Sequence, residues 1–401
     1  MKYNMVKLKE LCTVNQGLQI PISKRYKEPG ENRYFYITVQ FLKDNGENYY
    51  IENPPKSVTC TEDEILVVRT GNTGQVITGV AGCFHNNFFK VTPNEKIYFK
   101  YLYYALNNKK MHDAMLNAAS GTTIPDLKHS SFYDLEIPLP EISIQKKIAK
   151  ILDNICDKLK LNNEINNNLY EFSNSIFKKW FIQFEYPDFN GNLKESELGK
   201  IPEDWEIGYF DDSKLTSIIK SGVDKFEGTK KYVATADVTE KNITNYEEVS
   251  YNEKPSRANM TPRISSVWFA KMENSVKNIL VDSYMKDILN NYIFSTGFMG
   301  VECINNSLYY IWNIINDDKF LQEKNSLSTG TLMAGISNST IKNYKYLIPD
   351  QNTLHKFNEI QLNINKKIYN NSIQNEKLSQ LRDTLLPKLM NGEIDLDNIE
   401  V

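Results

Sequence analysis

The sequence lacks most features that identify exported, membrane-bound or disulfide-stabilised proteins. Its five cysteines are scattered, with no CxxC pair, which argues against a zinc site or a disulfide framework and suits reduced cytosolic thiols. No stretch approaches the roughly 18 apolar residues of a membrane span. The first residues, MKYNMVKLKE, have no apolar core of an export signal. We therefore expect a cytoplasmic protein.

Motifs for catalysis and cofactor binding are also missing. No GxxxxGK[ST] segment is present, and no GxGxxG follows a strand-like stretch. The four histidines (His85, His112, His129 and His355) have neither metal-ligand nor catalytic-triad spacing. The net charge of −3 neither requires nor excludes a nucleic-acid partner, because local patches decide that. We predict a non-catalytic chain without a metal or cofactor of its own.

The most informative stretch that is present covers residues 140–185. Apolar residues recur every three to four positions and no proline or glycine follows Pro140, which predicts one long helix with a seam for a partner helix. At 1.5 Å per residue, such a helix spans roughly 60 Å. Written as heptads, the seam has Ile148, Ile155 and Asn162 at first positions and Ile151 and Lys158 at fourth positions.

A second stretch, residues 349–391, repeats this pattern 209 residues later, since Pro349 corresponds to Pro140. Asn371 then falls on Asn162, and Lys367 on Lys158. Isolated polar residues in an apolar seam fix the pairing register at a cost in stability. The predicted register residues are therefore Asn162, Asn371, Lys158 and Lys367; the alternative is coincidence in an asparagine-rich chain.

The repeat continues upstream of the helices, where Gly121-Thr122 matches Gly330-Thr331. Each globular region has strand-like segments, such as 64–68 and 266–272, and one short helical segment. We predict an α+β fold of two mixed α/β modules joined by two long helices, built as an internal repeat. The predicted boundaries are 1–139 (module), 140–185 (helix), 186–200 (linker), 201–348 (module), 349–391 (helix) and 392–401 (tail).

In the first module, the segment VVRTGNTGQV (67–76) ends a predicted strand at Arg69 and continues with two glycines three residues apart. Glycine permits a tight turn and close approach to a ligand. The side chains of Thr70, Asn72 and Thr73 can contact phosphates or base edges. An ordinary hairpin turn is the alternative.

Several segments together resemble the specificity (S) subunits of type I restriction-modification systems. They are LPEISIQKKIAKILDNICDKLKLNNEINNNL in the first helix, IFKKWFIQF (176–184), LGKIPEDWEI (198–207) and LSQLRDTLLPKLMNGEI (378–394). The resemblance covers the whole chain in this order, and RTGNTG and the loops SGTT and STGT fit the target-recognition modules of that family. The DNA-binding candidates are Arg69, Thr70, Asn72, Thr73, Thr122, Thr123, Lys128, Lys271 and Thr331.

The resemblance implies that each module reads one half of a bipartite, asymmetric site on double-stranded DNA. The helices would form an antiparallel coiled coil, so that the two halves of the chain are related by an internal pseudo-two-fold repeat. The helix pair would set the spacer and dock two modification subunits, which carry S-adenosylmethionine (AdoMet). Restriction subunits, where present, would carry ATP and Mg. The alternative is a coiled-coil scaffold with two protein-binding modules, and salt-sensitive retention of DNA distinguishes the two.

Overall fold

The computed structural model describes residues 3–42, 47–121, 125–211, 214–328 and 334–396. Two compact units emerge: unit 1 combines Met1–Asn162 with Gln374–Val401, and unit 2 is Asn163–Ile373. Each unit therefore contains one globular region and a part of each long helix. We call the globular region before the first long helix module 1, and the one between the two long helices module 2.

The described helices are α1 (Phe99–Leu106), α2 (Lys109–Ala118), α3 (His129–Tyr133), α4 (Ile142–Phe177), α5 (Lys286–Asn291), α6 (Leu308–Ile315), α7 (Asp318–Ser326), α8 (Asn338–Ile341) and α9 (Gln351–Met390). A wide π-type turn, Lys178–Ile182, extends α4. Helices α6, α7, α8 and α9 begin 209 residues after α1, α2, α3 and α4. The fold predicted from the sequence, with duplicated α/β modules and two long helices, is confirmed.

Module 1 is built from β1 (Asn4–Lys7), β2 (Cys12–Gln16), β3 (Arg33–Ile37), β4 (Tyr50–Glu52), β5 (Thr59–Cys60), β6 (Ile65–Val68), β7 (Val76–Ile77), β8 (Gly82–Phe84), β9 (Phe88–Pro93) and β10 (Glu136–Leu139). Its two four-stranded sheets have the orders β2-β9-β6-β7 and β4-β3-β8-β5, and β1 pairs with β10. Strand β6 is buried along its whole length, as its uninterrupted apolar sequence ILVV requires.

A hairpin of β11 (Leu193–Ser196) and β12 (Gly199–Pro202) lies in and just after the segment predicted to be a linker. Module 2 follows with β13 (Glu206–Tyr209), β14 (Thr216–Ile218), β15 (Thr229–Val233), β16 (Val238–Thr239), β17 (Asn242–Ile243), β18 (Glu247–Ser250), β19 (Ala258–Met260), β20 (Ser266–Ala270), β21 (Asn278–Val281), β22 (Tyr292–Ser295), β23 (Phe298–Cys303) and β24 (Lys345–Ile348).

The two modules share one topology. The sheets of module 2 have the orders β14-β23-β20-β21 and β18-β15-β22-β19, and β13 pairs with β24. The one parallel pair in the second sheet of module 1, β3 with β8, recurs in module 2 as β15 with β22. Even single contacts recur: the Tyr101 hydroxyl donates to the Pro138 carbonyl, and the Tyr310 hydroxyl donates to the Leu347 carbonyl, both at 2.7 Å.

Within each unit the two long helices run antiparallel and share polar contacts. In unit 1, Asn162 Nδ2 donates to the side-chain oxygens of Gln374 and Asn375, both at 2.8 Å. In unit 2, Asn371 Nδ2 donates to Asn166 Oδ1 at 2.8 Å. Asn371 and Asn375 lie 209 residues after Asn162 and Asn166, so the contacts of Asn162 with Asn375 and of Asn371 with Asn166 are repeat images of each other.

The seam differs from the heptad assignment at one position. Lys158 and Lys367 are exposed. The residues that follow the first heptad positions by four are buried at Leu152, Ser173 and Ile368 and half-buried at Leu159. The second seam position is therefore one residue later than the assignment made from the sequence. The reason is that Ile151 and Ile165 widen the apolar stripe. They lie three residues after first heptad positions, so the sequence alone favours a spacing of three over a spacing of four. Lysine at an exposed position costs nothing in desolvation, so Lys158 and Lys367 are solvated residues beside the seam.

The modules are attached to the helices by apolar clusters. In unit 1, Leu102 and Phe132 belong to one cluster with Leu152 of α4 and Leu389 of α9. In unit 2, the aromatic residues at the end of α4 do this: Phe181 lies 5.6 Å from Trp205 and 4.8 Å from Phe357, measured between ring centroids. Aromatic pairs bury much apolar area and prefer particular ring orientations. Each module is therefore packed in a defined orientation against the helix segments of its own unit.

Candidate nucleic-acid interface

The turn between β6 and β7 carries the principal sequence candidates in module 1. Arg69 directs its guanidinium at Asp126, with Nε donating to Oδ1 at 2.9 Å and Nη2 to Oδ2 at 2.7 Å. The Thr70 hydroxyl donates to Asp126 Oδ1 at 2.5 Å. These hydrogen bonds, Arg69 first, lower the pKa of the Asp126 carboxyl below its ordinary value. The Arg69 guanidinium is therefore engaged in a bidentate ion pair, which holds this turn against the loop that precedes α3.

Thr73 has a similar holding role. Its hydroxyl is buried, and it approaches the carbonyls of Arg69 at 3.1 Å and Pro125 at 2.7 Å. Asn72, in contrast, is exposed between Gly71 and Gly74, both of which have positive φ values (104° and 87°) that favour glycine. The Asn72 side-chain amide donates to Gln75 Oε1 at 3.3 Å. Of the four residues predicted in this turn, Asn72 is the one that presents its side chain outward.

An open groove of about 680 Å³ lies beside Asn72 and Gln75 and is closed on its other side by the α1–α2 corner. Lys109 and His112 from α2 line this wall, and both side chains are largely or partly exposed. Amide and cationic groups are the donors and acceptors that proteins use toward base edges and phosphates. The groove is therefore chemically suited to nucleic acid.

Module 2 contains the same junction with different side chains. In module 1 the Arg69 amide donates to the Asn87 carbonyl at 2.7 Å, and the Leu127 amide donates to the Arg69 carbonyl at 2.9 Å. In module 2 the Lys271 amide donates to the Gly297 carbonyl, and the Ile336 amide donates to the Lys271 carbonyl, both at 2.9 Å. Lys271 thus occupies the position of Arg69.

Lys271 has no counterpart of the Asp126 carboxylate. The residue that pairs with the turn here is Gly335, through a bridge to Met272, where module 1 has Thr70 bridged to Asp126. Among the described residues, no carboxylate lies within ion-pair distance of the Lys271 ammonium group. Partial burial lowers the pKa of Lys271 below its ordinary value. A half-buried cation without a counter-ion is a good partner for an incoming anion or base acceptor.

The groove around Lys271 encloses about 120 Å³, and Ser221, Thr296 and Asn338 are among its lining residues. Lys324 binds the backbone of the turn that follows β20. Its side chain is buried, and Nζ donates to the carbonyls of Ser275 at 2.5 Å and Ala270 at 3.3 Å. In module 1 the position 209 residues earlier holds the buried Met115. Burial lowers the pKa of Lys324 to about 8.

Sequence reasoning missed that residues 271–277 (KMENSVK) correspond to 69–75 (RTGNTGQ). The two segments align when the sequence is shifted by 202 residues, and the helices align when it is shifted by 209. The difference arises because module 2 has seven more residues between this turn and α6 than module 1 has between its turn and α1. With the shift of 202 residues, Asn274 corresponds to Asn72. Asn274 has a positive φ of 56° and exchanges hydrogen bonds with Asn325.

The remaining candidates are placed as follows. Lys128 is exposed immediately before α3. Thr122, Thr123 and Thr331 lie outside the described residues. Within the described ranges, no group of histidine, cysteine, aspartate and glutamate side chains is arranged to hold a metal ion. None of the described helices combines the length and apolar character needed to cross a membrane.

The outer face of the long helices exposes apolar residues at repeat-equivalent positions. Phe172 on α4 is 56% exposed and belongs to unit 2. Leu381 on α9 lies 209 residues later, is 45% exposed and belongs to unit 1. The repeat thus leaves one large apolar side chain exposed at equivalent positions of the two long helices.

Comparisons with known proteins agree with this architecture. The family described as "Type I restriction modification DNA specificity domain" matches residues 1–171. The specificity subunit of the type I restriction enzyme MjaIX from Methanocaldococcus jannaschii is 28% identical over 404 aligned residues, covering 93% of this chain and 86% of the relative. The specificity subunit of the HindI enzyme from Haemophilus influenzae is 24% identical, covering 77% of this chain and 80% of the relative.

Among solved structures, the S subunit of a type I restriction-modification system from M. genitalium shares the fold. The TM-score is 0.63 at 16% sequence identity, over 97% of this chain and 96% of that one. Residues 1–171 thus match a specificity-domain family, and over most of its length the chain is similar to the specificity subunits of type I restriction-modification systems.

Proposed function

We propose that each module reads one half of a bipartite, asymmetric site on double-stranded DNA, through the loop junction centred on Arg69 in module 1 and on Lys271 in module 2. The observation that carries the proposal is the retention of the same backbone hydrogen bonds at both junctions while the side chains change. A constant scaffold with variable side chains is what two readers of unlike sequences need.

Within this proposal the candidate residues divide into two roles. Arg69, Thr70 and Thr73 hold the turn of module 1 in shape, and Asn72 and Lys128 face the DNA. In module 2, Lys271 itself makes the contact, because no carboxylate among the described residues neutralises it. Thr122, Thr123 and Thr331 remain DNA-binding candidates on their sequence positions alone.

We further propose that the helix pair sets the spacer between the half-sites and docks two copies of a modification subunit. The exposure of Phe172 and its repeat partner Leu381 supports two equivalent docking points. The modification subunits would bind AdoMet and carry out methyl transfer. Restriction subunits, in systems that have them, would join the same assembly and bring ATP and Mg chemistry.

The docking proposal is tested by co-purifying the chain with its modification subunit and measuring the stoichiometry by native mass spectrometry. Each of Phe172→Asp and Leu381→Asp is expected to remove one copy, and the double variant both. Met5→Asp, at a residue that is 52% exposed on β1, serves as the control and should leave two copies bound. Two copies bound to the double variant would contradict the proposal.

DNA recognition is tested by comparing methylated motifs in cells with and without the gene. Loss of one bipartite motif is expected when the gene is removed. The competing scaffold function predicts no change in methylation and no salt-sensitive retention of DNA by the assembled complex.

A further inference from the structure

The connection between β2 and β3 in module 1 exposes an apolar residue at a rigid loop tip. Ile22 is 73% exposed, and Leu18 on the same connection is 40% exposed. An isoleucine exposed to this degree forgoes most of the free energy that burial of its side chain would supply. Such exposure calls for an explanation when the backbone around it is well held.

The loop is anchored before its tip. The Tyr36 hydroxyl donates to the Leu18 carbonyl at 2.8 Å and accepts from the Ile20 amide at 3.0 Å. Ile20 points inward and packs against the cluster that contains Tyr36, Ile51 and Val58. The backbone on this side of Ile22 is therefore fixed to the second sheet.

The loop is anchored after its tip as well. Arg25 donates from Nε and Nη2 to the Ile20 carbonyl at 2.9 and 2.8 Å, and its guanidinium lies over the rings of Tyr36 and Tyr49 at 5.0 and 5.5 Å. The Tyr26 amide donates to the Tyr50 carbonyl at 2.9 Å. Between these anchors, a single helical turn at Ile22–Lys24 holds the side chain of Ile22 outward.

The tip is cationic. Residues 21–27 (PISKRYK) contain three cations, of which Lys27 lies 3.9 Å from Glu47 and Arg25 is bound to the Ile20 carbonyl. Lys24 is exposed directly beside Ile22. An apolar side chain flanked by positive charge complements the phosphate-lined stack of base pairs, which proteins enter with isoleucine, leucine or proline wedges.

The loop is also continuous with the junction proposed to read DNA. The Leu18 amide donates to the Phe84 carbonyl at 3.1 Å, Gln16 Nε2 donates to the Asn86 carbonyl at 3.3 Å, and the Arg69 amide donates to the Asn87 carbonyl. The start of this loop, the β8–β9 turn and the β6–β7 turn thus form one connected surface of module 1.

Module 2 does not repeat this feature. The connection from β14 to β15 spans residues 219–228, ten residues compared with sixteen for residues 17–32 in module 1. Its apolar residues turn inward: Ile219 is buried, and Val223 and Phe226 pack against Tyr232 and Val249. The connection 219–228 of module 2 therefore has no counterpart of the exposed Ile22.

We propose that Ile22 is a wedge that inserts between two adjacent base pairs of the half-site read by module 1 and unstacks them. This inference rests on the proposed function, because it requires module 1 to lie on DNA. It adds a deformation of the DNA to the readout, so that module 1 selects for a base step that unstacks easily as well as for particular base edges.

The test uses the assembled complex of this chain with its modification subunits. The DNA duplex contains the methylated motif, with 2-aminopurine placed in turn at each step of the half-site of module 1. The wild-type complex is expected to raise the fluorescence at one step by several-fold, since unstacking relieves quenching. Ile22→Ser should abolish the rise and weaken DNA binding roughly tenfold or more, in line with the burial energy of an isoleucine.

Two control variants make the outcome specific. Ile22→Leu retains an apolar wedge and should keep most of the fluorescence rise. Ile264→Ser removes an isoleucine in module 2 that is 53% exposed and should change nothing. An unchanged signal in Ile22→Ser would overturn the wedge, as would loss of modification-subunit binding in that variant, which would assign Ile22 to a protein contact. Failure of the wild-type complex to prefer its motif would instead overturn the proposed function.

Discussion

Arg69 and Lys271 illustrate how one residue position can serve structure in one module and recognition in the other. Both follow a buried central strand and both keep the same two backbone hydrogen bonds. The difference lies in the neighbour: Asp126 neutralises Arg69, whereas Lys271 faces a groove without a carboxylate among the described residues. The identity of a single loop residue, aspartate or glycine, therefore decides where the cation is directed.

This contrast predicts opposite results for two alanine variants. Arg69→Ala is expected to lower the free energy of unfolding by roughly 1–2 kcal/mol, because two charge-assisted hydrogen bonds in a partly screened site are lost. Lys271→Ala should leave stability nearly unchanged and weaken DNA binding by roughly 1–3 kcal/mol at one base position. Denaturant titration and binding to randomised half-sites measure the two effects. Wild-type DNA affinity in Lys271→Ala would refute the assignment.

Lys324 predicts a pH dependence of stability. Its pKa is about 8 in the folded protein and 10.5 when unfolded, so between these pH values the unfolded chain binds more protons and stability rises with pH. Below pH 8 both states are protonated, and the contribution is constant. Lys324→Met, which copies Met115 of module 1, should remove this part of the slope, up to roughly 1.4 kcal/mol per pH unit.

The measurement for Lys324 is denaturant unfolding at pH 7, 8, 9 and 10, and the wild-type curve minus the variant curve isolates the lysine. Lys319→Met, on the exposed part of α7, is the matched control and should keep the wild-type slope. Parallel curves for wild type and Lys324→Met would show that the buried lysine does not titrate in this range.

At the scale of the helices, the polar seam contacts imply a defined register. Adding one heptad to each of α4 and α9 lengthens both by about 10 Å at 1.5 Å per residue. B-DNA rises about 3.4 Å per base pair, so the preferred spacer should grow by roughly three base pairs. One half-site would also rotate by about 100°, given ~10.5 base pairs per turn, which is expected to weaken binding. Methylome sequencing of cells with the double insertion measures the spacer.

A four-residue insertion in α4 alone is the control for this experiment. The insertion is placed between Asn162 and Asn166. The hydrogen bonds of Asn162 with Gln374 and of Asn166 with Asn371 can then no longer form in the same pairing register. We expect a greater loss of activity than with the matched double insertion. An unchanged spacer with full activity in the double insertion would show that the helices do not measure the distance.

From the sequence, the long helices and the buried strand β6 were easier to predict than the short strands and the exact position of the helix seam. The long helices, the offset of 209 and the central strand at β6 were evident, because periodicity and uninterrupted apolar residues are local signals. The short strands β4, β5, β18 and β19 were not, because strands of two to four residues carry almost no periodicity. The predicted seam position at Lys158 differs by one residue from the position in the structure. The reason is that the apolar stripe of a helix is wide enough to fit more than one heptad assignment.

The candidate site was less predictable than the fold for a physical reason. Arg69 and Asp126 are 57 residues apart, so nothing local in RTGNTG shows that its arginine is already paired. The wedge at Ile22 was equally hidden, since an isoleucine in a sequence predicts burial and its exposure depends on anchors at Arg25, Tyr36 and Tyr49.

For the whole molecule, the duplicated topology predicts that recognition is separable. Replacing residues 1–139 by the corresponding module of another family member should change one half of the methylated motif and leave the other half and the spacer unchanged. The physical basis is that β1 pairs with β10 and β13 with β24, so each module closes on itself. Motif analysis of the modified DNA gives the answer, and changes in both halves would argue against independent reading.

The seam of α4 has a consequence for a shortened chain. Asn162 and Asn166 occupy the positions that Asn371 and Asn375 occupy on α9, and the polar contacts of the two repeats are images of each other. A fragment that ends shortly after α4 therefore carries both sides of its own seam. Two such fragments would associate as a homodimer with true two-fold symmetry. Since both modules would then be identical, the dimer would recognise a palindrome.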